Sequence, residues 1–202
     1  MDTGTKVYLS QQELELACNR DFILTKRTVI DKASHLLSNF SETIKPLITP
    51  ADFLPEEVKA SVPKIYKGEN YCQFPYVLLD YPFSFKKENI FAVRTFFWWG
   101  NFFSITLQLS ASYKTLFEKN IVDNIQLLNN DFSICINKNQ WQHHWQADNY
   151  VSINSLPTYT IKNIIQEKDF IKIAAKLPVE KWNDAENMLL NNFTALISLL
   201  KN

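Results

Sequence analysis

The stretch "TFFWWGNFFSITLQL", Thr95 to Leu109, sets two tryptophans and four phenylalanines around one Gly-Asn pair, with no charge among them. Extended to Tyr113, the uncharged run nearly reaches the roughly 20 apolar residues of a membrane helix. Its order argues otherwise: Ser104, Thr106, Gln108, Ser110 and Ser112 alternate with apolar residues, and alternation is a strand pattern. Gly100-Asn101 between two such runs predicts a two-residue type II′ hairpin, which takes Gly at its first central position. In that register Trp98 opposes Phe103, Phe96 opposes Ile105 and Arg94 opposes Leu107. Successive side chains point to opposite faces. Trp98, Phe96, Arg94 and Ala92 then share a face with Phe103, Ile105, Leu107 and Leu109, which reads as core with one exception, Arg94. The opposite face, with Trp99, Phe102 and Phe97, is mixed but apolar near the turn.

Period two continues on both sides of the hairpin. "YCQFPYVLLDY" (71–81) reads as a strand in which Pro75 marks an edge position or a bulge. "DFSICIN" (131–137) and "WQHHWQADNY" (141–150) read as a second strand pair, with Ile134 opposite His143 and Phe132 opposite Trp145; His143 is the polar exception on that face. "DFIKIAAKL" (169–177) is a last strand. Elsewhere the period is helical. Ser10 and Glu13 form a capping box ahead of a short helix over 11–18. Val29, Ile30, Ala33, Leu37, Phe40 and Ile44 make one stripe of a helix from about Thr25 to Ile44, ended by Pro46 and Pro50. One helical turn follows at Leu54–Val58, an amphipathic helix at 112–128, and after Pro178 a closing helix with the stripe Trp182, Ala185, Leu189, Phe193, Leu196 and Leu200. This order predicts an α+β fold: an antiparallel β-sheet built from hairpins, packed against N-terminal helices, a mid-chain helix and a long C-terminal helix. Residues 1–202 read as a single domain, with 1–9 a flexible lead.

Composition excludes several function classes. Lys+Arg and Asp+Glu both number 21, scattered along the chain. The basic stripe that phosphate contacts require is missing, so no nucleic-acid partner is expected. With only 3 glycines, there is no Gly-rich phosphate cradle; Gly68 and Gly100 read as turn residues. Cys18, Cys72 and Cys135 lack metal or redox spacing and suit three reduced, mostly buried thiols in a cytoplasmic protein. The start carries no apolar signal segment. The histidines, His35, His143 and His144, form no ligand motif, so neither metal nor cofactor is expected.

The candidate chemistry lies in the two polar exceptions. Arg94 is one of three arginines against 18 lysines. Its planar fork suits a carboxylate or phosphate ligand; the structural alternative is an internal ion pair, with Asp80 or Glu69. His143 suits an acid/base role, or a core histidine bonded to a backbone carbonyl. Trp98 and Trp141 would line the wall of a site holding Arg94, His143 and Asp80. Trp99, Phe102 and Phe97 suit a partner or homodimer surface if exposed.

The segments "PKIYKGENY…PYVLLDYP", "ENIFAVRTFFWWGNFFSITLQLS" and "WQHHWQADNY" together resemble an uncharacterised bacterial protein family of about 200 residues, over about Leu24 to Leu199. The resemblance implies one folded unit and carries no assigned activity. The leading expectation is a binding protein for a small acidic or apolar ligand, or for a protein partner. One alternative is a small-molecule enzyme using His143 as acid/base and Arg94 as anion clamp. The other is a structural or oligomeric module associating through the Trp99/Phe102 hairpin. No membrane association is expected.

Overall fold

A computed structural model describes residues 7–128 and 131–201. Of the expected flexible lead, residues 1–6 lie outside the described residues, while 7–9 are exposed and carry no regular structure. Ser10 caps α1 (Gln11–Cys18) through the expected reciprocal box with Glu13. Asn19 breaks the chain and caps α2 (Arg20–Ile48), whose buried side is Ile30, Ala33, Leu37, Phe40, Ser41, Ile44 and Ile48. Pro46 lies inside this helix instead of ending it. Near a C-terminus a proline forfeits a single backbone bond, and the next two residues still bury Ile48. A single turn, α3 (Glu56–Lys59), follows.

Seven strands then form one antiparallel sheet: β1 (Lys64–Tyr71), β2 (Phe74–Lys86), β3 (Asn89–Trp98), β4 (Phe102–Ser110), β5 (Phe132–Cys135), β6 (Tyr150–Ser152) and β7 (Phe170–Pro178). Their spatial order is β1-β2-β3-β4-β7-β5-β6. α4 (Ala111–Asn124) and α5 (Thr158–Glu167) connect strands, and α6 (Ala185–Ser198) closes the fold after a 3-10 stretch from Val179. The α+β class is as expected. β1 and α5 had no counterpart in the sequence reading. Pro75 sits opposite an irregularity of the β1–β2 register whose extra residue is on β1, so of the two placements its ring suggested, edge or bulge, it stands beside a bulge.

The decisive hairpin forms, but one residue out of the expected register. Trp98 pairs with Phe102, Phe97 with Phe103 and Arg94 with Thr106, so the loop is Trp99-Gly100-Asn101. The amide of Asn101 bonds the carbonyl of Trp98, and Gly100 takes φ +74. Positive φ at the third turn residue alone is the requirement of a type II turn, not II′. A one-residue slip turns every partner side chain to the other face. Phe103, Ile105, Leu107 and Leu109 therefore join Phe97, Val93 and Phe91, not Arg94, and pack under the helices in the main core. Arg94, Phe96 and Trp98 share their face with Phe102, Ser104, Thr106 and Gln108. The expected hairpin patch does not form one surface: Phe97 is fully buried against Trp182, Trp99 packs on the helix-side core, and Phe102 packs against Trp98 and Trp145 on the opposite face.

The second strand pair is much shorter than expected. β5 and β6 pair only over Ser133–Cys135 and Tyr150–Ser152. Residues 141–149 carry no strand. They belong to a loop, 136–149, that roofs the second face of the sheet. Gly68 sits within β1, not at a turn, where a side chain would strike the Tyr76 ring. Cys18 and Cys72 are exposed, and only Cys135 is buried.

Candidate functional site

The second face of the sheet holds what the helix-side core excludes. Asp80 and Arg94 are cross-strand partners on β2 and β3. Their side chains meet as a fork: Nε to Oδ1 at 2.8 Å and Nη2 to Oδ2 at 2.9 Å. The pair is deeply placed, with 11% of the Arg94 side chain and 2% of that of Asp80 exposed. Glu69, the other candidate partner, pairs with Lys26 on α2 instead. The third nitrogen of Arg94, Nη1, lies 3.2 Å from Nε2 of His143. A guanidinium only donates, so Nε2 accepts and the ring proton of a neutral His143 sits on Nδ1. Burial, with the positive charges of Lys172 and Arg94, holds His143 well below the usual histidine range. The imidazole is therefore neutral at physiological pH and already bonded at Nε2.

The roof loop is fastened by side chains of the sheet. Nζ of Lys172 on β7 donates to the carbonyls of Gln140 (2.9 Å) and Gln142. The hydroxyl of Tyr71 accepts from the amides of His143 and His144. Gln108 holds the side chain of Gln140 at 2.9 Å, and Lys168 donates to Asn137. Trp145 stacks on Tyr150 with ring centroids 4.3 Å apart. These ties replace a strand ladder. Lys172 is 1% exposed. Burial lowers its pKa to about 7, because a charged amine loses its hydration there.

Between this loop, β1 and β2 lies a cavity of about 660 Å³, within the 300–1,000 Å³ typical of small-molecule sites. Tyr66, Tyr71, Tyr76, Phe85, Phe96 and Trp141 supply its rings, with Asp80, Arg94 and His143 at its base and Lys67 and Lys87 at its margin. The open side is flanked by Tyr66, Phe85 and Trp141, which stay 48%, 39% and 45% exposed. The guanidinium carbon of Arg94 stands 5.7 Å from the Trp141 ring centre.

Four of the five residues singled out in the sequence thus line one cavity: Arg94, His143, Trp141 and Asp80. Trp98 does not. It packs behind the wall residues Leu78 and Phe96, and its Nε1 donates to the carbonyl of Tyr71. His143 reaches the site from a loop, not from the strand expected for it. Tyr66, Tyr71 and Tyr76 were missed, because their rings converge only through the pairing of β1 with β2. Among the described residues, no group of three or more His, Cys, Asp or Glu side chains is arranged to hold a metal ion, and no helix is long and apolar enough to cross a membrane. Compared with family models, curated proteins and solved structures, the chain matches none.

Proposed function

We propose that the cavity over β1–β3 binds a small flat molecule carrying an acidic group. The observation that carries this reading is the lining itself: six aromatic rings in a cavity where Arg94 at the base and Lys67 and Lys87 at the margin outnumber one carboxylate, Asp80. Rings give area for a planar apolar body. Cations favour an anion, although Lys67 is shared with Asp31 at 3.0 Å. Asp80 and His143 engage three of the five N–H donors of Arg94, leaving two for a carboxylate. The enzymatic alternative is weaker, because Nε2 of His143 would have to leave Arg94 before taking a proton. The resemblance to a bacterial family without assigned activity adds no substrate, so the reading rests on the cavity alone.

Thermal-shift and calorimetric titration with aromatic carboxylates, each paired with its uncharged amide, tests this. The acids should stabilise the protein by roughly 2.7 kcal/mol at 100 times their dissociation constant, and the amides far less. Lys87→Glu should weaken acid binding without disturbing the fold. Stabilisation by no acid, or equally by the amides, would sink the proposal.

A further inference from the structure

Residues 7–24 form an arm that the rest of the described residues do not cover. α1 has no buried residue, and the first buried side chain of α2 is Ile30. Among the described residues 19 large apolar side chains are exposed, and eight lie in this arm: Val7, Tyr8, Leu9, Leu14, Leu16, Phe22, Ile23 and Leu24. Scattered exposed leucines are ordinary, but such a concentration marks an interaction surface. The eight are 45–94% exposed, and together they offer apolar surface on the order of several hundred Å², comparable to what each partner contributes to a standard interface. An isolated helix shorter than about 12–15 residues is marginal in water, and α1 has 8. Its persistence as a helix therefore calls for cover from outside.

Charge selects the occupant. α1 carries Glu13 and Glu15 and no base, whereas the first two turns of α2 carry Arg20, Lys26 and Arg27 against Asp21 alone. Arg20 and Arg27 form no ion pair among the described residues. α1 is thus complementary to the first two turns of α2, which run on from the arm to Arg27. That is the pattern of a two-fold interface, in which the same patch serves both partners. The chain has zero formal net charge, so two copies approach without general repulsion. We propose that a second copy of this chain covers the arm, with α1 of each chain packed on the start of α2 of the other. The arm shares no residue with the aromatic cavity, so this stands whether or not the ligand proposal does.

Sedimentation and light scattering of the full chain test it. At about 100 μM, where a micromolar contact is nearly saturated, the protein should have the mass of two chains. Phe22→Asp, on a side chain 47% exposed in the single chain, should give one chain whose circular-dichroism spectrum loses at most the helix signal of the eight-residue α1. Glu15→Arg should weaken the dimer several-fold, and adding Arg27→Glu should restore it. A one-chain mass for the unaltered protein overturns the proposal, as does a dimer indifferent to Phe22→Asp or a charge reversal that the second substitution fails to rescue.

Discussion

At the scale of single residues, the Asp80–Arg94 fork dominates the second face. Removing one partner of a buried pair leaves a desolvated charge, at a cost of about 3–5 kcal/mol, whereas replacing both with apolar groups is often nearly neutral. Asp80→Leu should lower urea-unfolding stability by about that amount, and Asp80→Leu with Arg94→Met should recover most of it. If the recovered double variant still binds aromatic acids, the guanidinium is not the anion clamp. Gly100 poses a purely backbone question. A Cβ there meets nothing closer than the Phe74 ring at 3.7 Å, but φ is +74. Gly100→Ala should therefore cost about 1–2 kcal/mol, from left-handed strain and not from a clash. The sequence disclosed Arg94 because period two put one charge among Ala92, Phe96 and Trp98. It misassigned the facing strand, because one extra loop residue reverses a whole face and Gly-Asn fits more than one turn.

Among the elements, the roof loop is the least local structure in the chain. "WQHHWQADNY" alternates like a strand, yet a strand needs a neighbouring ladder, and this segment finds other partners. Its amides at His143 and His144 go to the Tyr71 hydroxyl, and the carbonyls at Gln140 and Gln142 go to Lys172. Those donors and acceptors lie about 30 to 70 residues away in sequence, beyond the reach of any local pattern. β1 escaped notice for a related reason: "KIYKGENY" is a polar edge strand, and its pairing with β2 supplies what its composition does not. The helices α1, α2 and α6 were legible because capping and apolar stripes are local. Tyr71→Phe keeps the ring in its edge-on packing against Phe96 and Trp98 but removes the hydroxyl. Two loop amides then lose their acceptor, at about 1–3 kcal/mol for a partly buried group. Hydrogen exchange over residues 140–146 should quicken at least several-fold, with β3 and β4 unchanged. Acid binding should weaken, since Trp141 and His143 ride on this loop. Unchanged exchange would mean that Lys172 and Gln108 hold the loop alone.

For the molecule as a whole, the sheet divides two kinds of interior: hydrocarbon under the helices, and a buried polar layer under the loop that contains two bases. Both bases make the fold prefer fewer protons than the unfolded chain. His143 titrates near 6.5 when unfolded but well below that when folded. As pH falls through 6.5 the unfolded chain gains a proton that the folded protein refuses, so stability drops on the acid side. Lys172 keeps its proton to about 10.4 when unfolded and releases it at about 7 when folded. Above pH 7, unfolding therefore takes up a proton, and stability rises with pH. Cys135 works in the opposite sense at the alkaline end, because burial raises its pKa and only the unfolded thiol ionises near 9. Stability should thus climb from pH 5 to about pH 9 before levelling. Urea unfolding at fixed ionic strength across that range would measure it. Lys172→Met should remove the climb above pH 7 and leave the acid limb, while His143→Gln should flatten the acid limb alone. A profile indifferent to pH from 5 to 9 would mean that neither base is held in its uncharged form beneath the loop, and a climb above pH 7 that survives Lys172→Met would mean that Lys172 is not.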